Sequence, residues 1–169
     1  MRPTEHVILG GTASALLYPL LGAPGALIFF AGSVLVDIDH YFDYVYHNRF
    51  TDFGIRNMFA YHGAIEKFLR RPDMLNVEIF HTLEFILPLY ALSRYLESSL
   101  LSALFFGILF HIALDMTYLI RRRLFFKRCN SLTEYFIRRR AMATRGLVPR
   151  TIYTDALKVI NGTTRQEVR

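Results

Sequence analysis

Residues 32–44 read GSVLVDIDHYFDY, an apolar run that ends abruptly in Asp37, Asp39 and His40. A segment made to avoid water that finishes with three metal-capable side chains reads as a membrane helix carrying ligands to one of its ends. Its apolar part covers residues 25–36, and three further apolar stretches flank it at 7–21, 79–95 and 100–120. Only the last has the roughly 20 apolar residues that a straight span needs. The quoted segment gains length if its helix continues through DIDHYFDYVY. GAPG at 22–25 places a turn between the first two stretches, predicting a helical hairpin. SRYLESS at 93–99 links the third and fourth stretches tightly, and residues 47–77 read as a loop with one short amphipathic helix near 57–69.

Composition agrees with a bilayer setting. Of 169 residues, 53% are hydrophobic, with 15 Phe and 10 Tyr, more than a small soluble domain carries. The net charge of +6 is divided unevenly: residues 1–120 hold 7 Lys/Arg and 11 Asp/Glu, whereas 121–169 hold 13 and 3. The expected fold is therefore all-α, an integral membrane helical bundle of about four spans with amphipathic C-terminal helices. Residues 1–120 form the membrane-embedded part and 121–169 a basic cytoplasmic juxtamembrane tail. Residues 7–21 also have the length of a signal-peptide core, but the next stretch, 25–36, is again membrane-like, so the segment is read as retained.

Orientation follows the bias of Lys/Arg in short flanking loops. Arg49, Arg56, Lys67, Arg70 and Arg71 occupy the 47–77 connection, and RRRLFFKR follows the fourth stretch. Four spans in the cell inner (cytoplasmic) membrane, with both termini in the cytoplasm, satisfy this pattern. His6, Asp37, Asp39, His40, His81, His111 and Asp115 then all fall near the cytoplasmic ends of their spans. His111 and Asp115 are four residues apart and Asp37 and His40 three apart, so each pair shares a helix face. A single cysteine, Cys129, excludes an intrachain disulfide and leaves no CxxC or zinc-finger spacing, so a metal must be held by His and carboxylate. That donor set suits one or two divalent ions, Zn first, with Mn or Fe as alternatives. Asp39 or Glu84 could serve as general base, Glu78 as a supporting partner, and Arg70 or Arg71 could hold a phosphate. Asp43 and His47 continue the face of His40 but are expected to meet water, as is His62.

These residues resemble the YdjM-like membrane-bound metal-dependent hydrolases, some of which are LexA-regulated. The resemblance covers residues 5–118 and rests on EHVILGG, GSVLVDIDH, FHTLEF and FHIALDMTY. It implies a metal site of His6, Asp37, Asp39, His40, His81, His111 and Asp115. The family tends to carry an HRGxTHS-like stretch, whereas NVEIFHTLE keeps only its second histidine, as His81, with Asn76 and Val77 where the first His and the Arg would fall.

The function expected is a metal-dependent hydrolase acting on a phosphoester or ester of an amphiphilic lipid substrate at the cytoplasmic membrane face. The alternative is a non-enzymatic membrane protein, a transporter or scaffold, with a structural His/Asp metal site. A transporter would distribute its ligands toward both faces. Cations interleaved with aromatics in RRRLFFKR and IRRRAMATR could bind nucleic acid, but a juxtamembrane segment lying on anionic lipid headgroups is the simpler account. Membrane lipids are thus the expected partners. LFFKRCNSLTEYFIRRR and residues 151–160 are the two expected amphipathic helices.

Overall fold

The structure, a computed structural model, describes residues 3–167. The chain is mostly helical: α1 (Pro3–Leu35), α2 (Ile38–His47), α3 (Ile55–Phe68), α4 (Leu83–Tyr95), α5 (Ser99–Arg121), α6 (Leu132–Ala143) and α7 (Arg150–Glu167). Two-residue strands β1 (Asn76–Val77) and β2 (Arg128–Cys129) pair in parallel. The chain forms two compact units, each assembled from two stretches: Met1–Asp37 with Ile79–Phe125, and Ile38–Glu78 with Phe126–Arg169. Residues 38–78, read from the sequence with the membrane-embedded part, thus pack with the basic stretch instead.

In the first unit, α1 is a hairpin. Gly22 breaks the helix with φ 65° and ψ 176°, a conformation that costs a residue without Cβ little. Pro24 follows at the start of the second arm, where its missing N–H would have no helical partner anyway. The arms run antiparallel: Ser14 donates to the Ala26 carbonyl at 2.6 Å, and a Cβ on Gly10 would meet Ser33 Oγ at 2.3 Å. The second arm packs on α5 backbone to backbone, since a Cβ on Gly107 would lie 2.2 Å from the Phe29 carbonyl oxygen. Small residues at such crossings are how apolar helices approach closely when water supplies no driving force between them.

By length and composition two helices are able to cross a membrane, the N-terminal one and α5. The stretch at 79–95 divides into a 3₁₀ turn, Ile79–His81, and α4, whose 13 residues reach only about 20 Å. The helix expected to run on through DIDHYFDYVY is likewise interrupted, by a turn at residues 36–37 before α2.

In the second unit, α3 packs on α7 around Tyr44, Tyr61, Met74, Ile152, Tyr153 and Ala156. Tyr153 donates to the Leu75 carbonyl at 3.0 Å, which fixes the entry to β1. Arg71 donates to Asp73 at 2.7 and 2.9 Å and to Asp155 at 2.8 Å, tying the loop after α3 to α7. Its charge holds both carboxyls below the usual carboxylate range. The expected amphipathic helix LFFKRCNSLTEYFIRRR is not helical throughout. Phe125–Lys127 is a 3₁₀ turn and Arg128–Cys129 a strand, so α6 starts only at Leu132, capped by the Ser131 hydroxyl.

Candidate metal centre

Five of the seven expected ligands meet in the first unit. His6 lies in the first turns of α1, Asp37 in the turn that follows it, His81 in the 3₁₀ turn ahead of α4, and His111 and Asp115 one turn apart on α5. The hairpin explains the convergence. Successive apolar helices alternate in direction, so the start of α1, the residue after its second arm, the approach to α4 and the second half of α5 reach the same end of the unit.

The three histidines are almost wholly buried, His6 and His81 at 1% exposure and His111 at 0%. Asp115 is buried too, while the Asp37 side chain keeps 23% of its surface and forms the open edge. Nε2 of His111 lies 3.2 Å from Asp37 Oδ1 and 3.6 Å from Asp115 Oδ2; Nε2 of His81 lies 3.7 Å from Asp37 Oδ1, and Nε2 of His6 3.2 Å from Asp115 Oδ1. Ligands bound tetrahedrally at about 2.0–2.2 Å from one ion are spaced about 3.3–3.6 Å apart, so these contacts have the lengths of coordination edges. Neither ring nitrogen of His6 nor Nε2 of His111 makes a hydrogen bond among the described residues, despite those 3.2 Å separations. Nitrogen and oxygen are close without the alignment that an N–H···O bond requires.

One bond sets the chemistry of His111. Its Nδ1 lies 2.9 Å from the Ser33 carbonyl oxygen, which can only accept, so Nδ1 carries the proton and Nε2 is left to face the carboxylates. The His6 ring stacks on His111 with centroids 3.8 Å apart, which fixes the second imidazole. Asp37, His81, His111 and Asp115 offer one ligand atom each, all within 4.8 Å of one another, and this buried group could hold a metal ion. A divalent cation with two carboxylates and neutral imidazoles is electrically balanced, which a buried site needs. The donor set therefore fits.

Asp39 and His40 follow Asp37 along the chain, and these three also offer ligand atoms within 4.8 Å of one another, a second group that could hold a metal ion. Asp39 and His40 belong to the second unit, where His40 Nδ1 is 3.6 Å from Asp39 Oδ1 and 3.8 Å from Glu78 Oε1. Glu78 is bound by Arg128 at 2.7 Å. His62, expected in solvent, instead lies on α3, donating to the His40 carbonyl at 2.8 Å and packing against the His40 ring; burial holds its pKa below the ordinary 6.5. Asp43 and His47 contact each other at 3.0 Å, and the His47 ring stacks on Tyr153. Glu84 is exposed on the first turn of α4, outside the buried group. Arg70 is exposed. Arg71, expected to hold a phosphate, has its guanidinium engaged by Asp73 and Asp155.

Sequence reasoning misses Ser33 and Gly10. Ser33 acts through its main-chain carbonyl, which leaves no side-chain signature. Gly10 leaves room for the Ser33 side chain, and GG in EHVILGG is its only trace. Arg128, buried against Glu78, is hidden among neighbouring cations. No protein-family model, curated protein or solved structure matches the chain.

Proposed function

We propose that the chain is a membrane-embedded metal-dependent hydrolase, of the kind its resemblance to the YdjM-like proteins implies, acting on a phosphoester or ester of an amphiphilic substrate. The observation that carries this reading is the buried ring of three imidazoles and two carboxylates at coordination-edge spacing. The two arms of α1, with α4 and α5, would be the four membrane-inserted segments of the inner membrane, and the centre would lie at their cytoplasmic end. Large side chains such as Leu16, Leu20 and Leu27, two-thirds or more exposed, suit contact with lipid tails.

His81, His111, Asp37 and Asp115 would hold the ion, with His6 beside Asp115 as a further ligand. Zinc is the ion the donor set favours, with manganese or iron as alternatives. When bound, such an ion supplies Lewis acidity and lowers the pKa of water toward neutrality, the chemistry of ester hydrolysis. Asp37 forms the accessible edge, where a scissile group could approach. Ser33 keeps His111 in the tautomer that binds a cation.

A purely structural metal site is favoured by one observation, the near-complete burial of all three histidines, because structural sites are closed and catalytic ones keep a position open. Metal analysis of detergent-purified protein, followed by a phosphoester and ester screen with and without chelator, separates the readings. Stoichiometric metal in the wild type, its loss in Asp37→Ala and His111→Ala, and turnover abolished by chelator are expected. Bound metal with no turnover on any ester supports the structural site, and absence of metal from the wild type overturns both.

A further inference from the structure

The basic stretch after α5 reads as a uniform cationic run, but its cations do different jobs. Lys127 donates to the Arg71 carbonyl at 2.7 Å, Arg128 pairs with Glu78 at 2.7 Å, and Arg138 pairs with Glu134 at 2.9 Å while also binding the Phe126 carbonyl. These three hold the second unit together. Arg139 and Arg140 stay exposed. On the same side of α6 stand Phe136 and Ile137, exposed at 61% and 64%. Residues 136, 137 and 140 fall on one helical face, with 139 at its margin.

The helix does not need that face for folding. None of its residues is buried; it is fixed by the Ser131 cap, by Glu134 accepting from the Asn130 N–H at 3.0 Å, and by the Glu134–Arg138 pair. Two large apolar side chains and two cations, left over from folding and gathered on one face, suit a membrane boundary, where arginine heads reach headgroups while apolar side chains reach the acyl chains. Residues 122–131, between α5 and α6, reach at most about 35 Å when fully extended, so a bilayer crossed by α5 is always within range of α6.

We propose that the face of α6 formed by Phe136, Ile137, Arg139 and Arg140 docks on a bilayer surface containing anionic lipid, the two apolar residues entering the acyl boundary and the two arginines meeting headgroup phosphates. This rests on the membrane reading of α5 above. Charge complementarity selects the partner: an anionic headgroup layer satisfies both arginines, and the acyl boundary beneath it takes the aromatic and aliphatic side chains.

The chain has no tryptophan, so single-tryptophan reporters are available without background. Leu16→Trp and Phe136→Trp are placed separately in the full chain and reconstituted in nanodiscs of phosphatidylcholine alone or mixed with phosphatidylglycerol, with and without brominated acyl chains. Leu16→Trp should be quenched by brominated chains in both bilayers. Phe136→Trp should show a blue shift and quenching only with phosphatidylglycerol, lost in high salt and lost when Arg139→Gln and Arg140→Gln are added. Adding Arg150→Gln instead, at an exposed arginine of α7, should leave the lipid response in place. Quenching of Leu16→Trp without any lipid response of Phe136→Trp overturns the docking proposal while the membrane reading stands. No quenching of Leu16→Trp overturns both. A Phe136→Trp response that is equal in the two bilayers, that follows protein concentration instead of lipid, or that appears only with an added oligonucleotide also overturns the proposal.

Discussion

The two units set different partners against their carboxylates. In the second, arginines of the same chain meet three of them, Arg128 on Glu78 and Arg71 on Asp73 and Asp155, while the buried Asp39 faces the His40 imidazole. In the first, the buried Asp115 and the largely buried Asp37 face the imidazoles of His6, His81 and His111. A guanidinium is charged at any ordinary pH, so these arginine pairs are complete by themselves. An imidazole is charged or neutral according to its surroundings, so the first is balanced either by protons or by a divalent cation. Arginine-paired carboxylates thus belong to a closed scaffold, whereas carboxylates gathered among imidazoles form a group that could hold a metal ion.

The comparison breaks most decisively at His111. His111→Ala should abolish metal binding and lower hydrogen-exchange protection along α5, while α7 keeps its protection; loss of protection in both units would mean that the centre supports the whole chain. Next in size is the buried pair of the second unit. Glu78→Gln leaves Arg128 buried without its counter-charge and should destabilise that unit by about 3–5 kcal/mol in denaturant unfolding, with metal content unchanged. Replacing both partners with apolar residues of similar size should recover most of the loss.

Gly107→Ala tests whether close helix approach holds the centre. A Cβ there meets the Phe29 backbone, so the arm carrying Ser33 must move. The expected cost is about 1–3 kcal/mol, accompanied by weaker metal binding. Gly63→Ala, where a Cβ has open space, is the control.

The smallest effects are those of pH in the second unit. Asp73 is held low by Arg71, so its contribution is complete above the ordinary value of 3.8 and is lost as pH falls through its lower folded value. His62, depressed by burial, acts higher: stability is complete above 6.5 and declines as pH falls below it, because the unfolded chain then binds the proton. His62→Gln should remove the upper decline and Arg71→Gln the lower one. At neutral pH Arg71→Gln should cost only about 1 kcal/mol or less, since the pair is partly solvated. Melting curves across pH check both, and a decline below 6.5 that persists in His62→Gln would assign it to another group.

Much of the arrangement is local and therefore readable. GAPG turns the chain because Gly22 tolerates a positive φ, and the long apolar run at 100–120 coincides with α5, Ser99–Arg121. His111 and Asp115 share a face because a helix repeats about every 3.6 residues. The hairpin then brings residues from the ends of distant apolar stretches together. Less readable is DIDH. A turn at 36–37 ends the helix before α2 begins at Ile38, and nothing in an apolar–polar pattern marks where such a turn falls. The 3₁₀ turn before α4 shortens a helix that hydrophobicity alone makes longer.

By itself, then, the amino-acid sequence determined that apolar helices form, that one pair folds back, and that imidazoles and carboxylates stand at helix ends, since hydrophobicity and backbone conformation act over a few residues. Which of those groups meet, and which arginines are bound inside the second unit and which stay exposed, follows from packing. Those partners, such as Arg71 and Asp155, lie 84 residues apart, and only packing decides which distant groups come within hydrogen-bonding range.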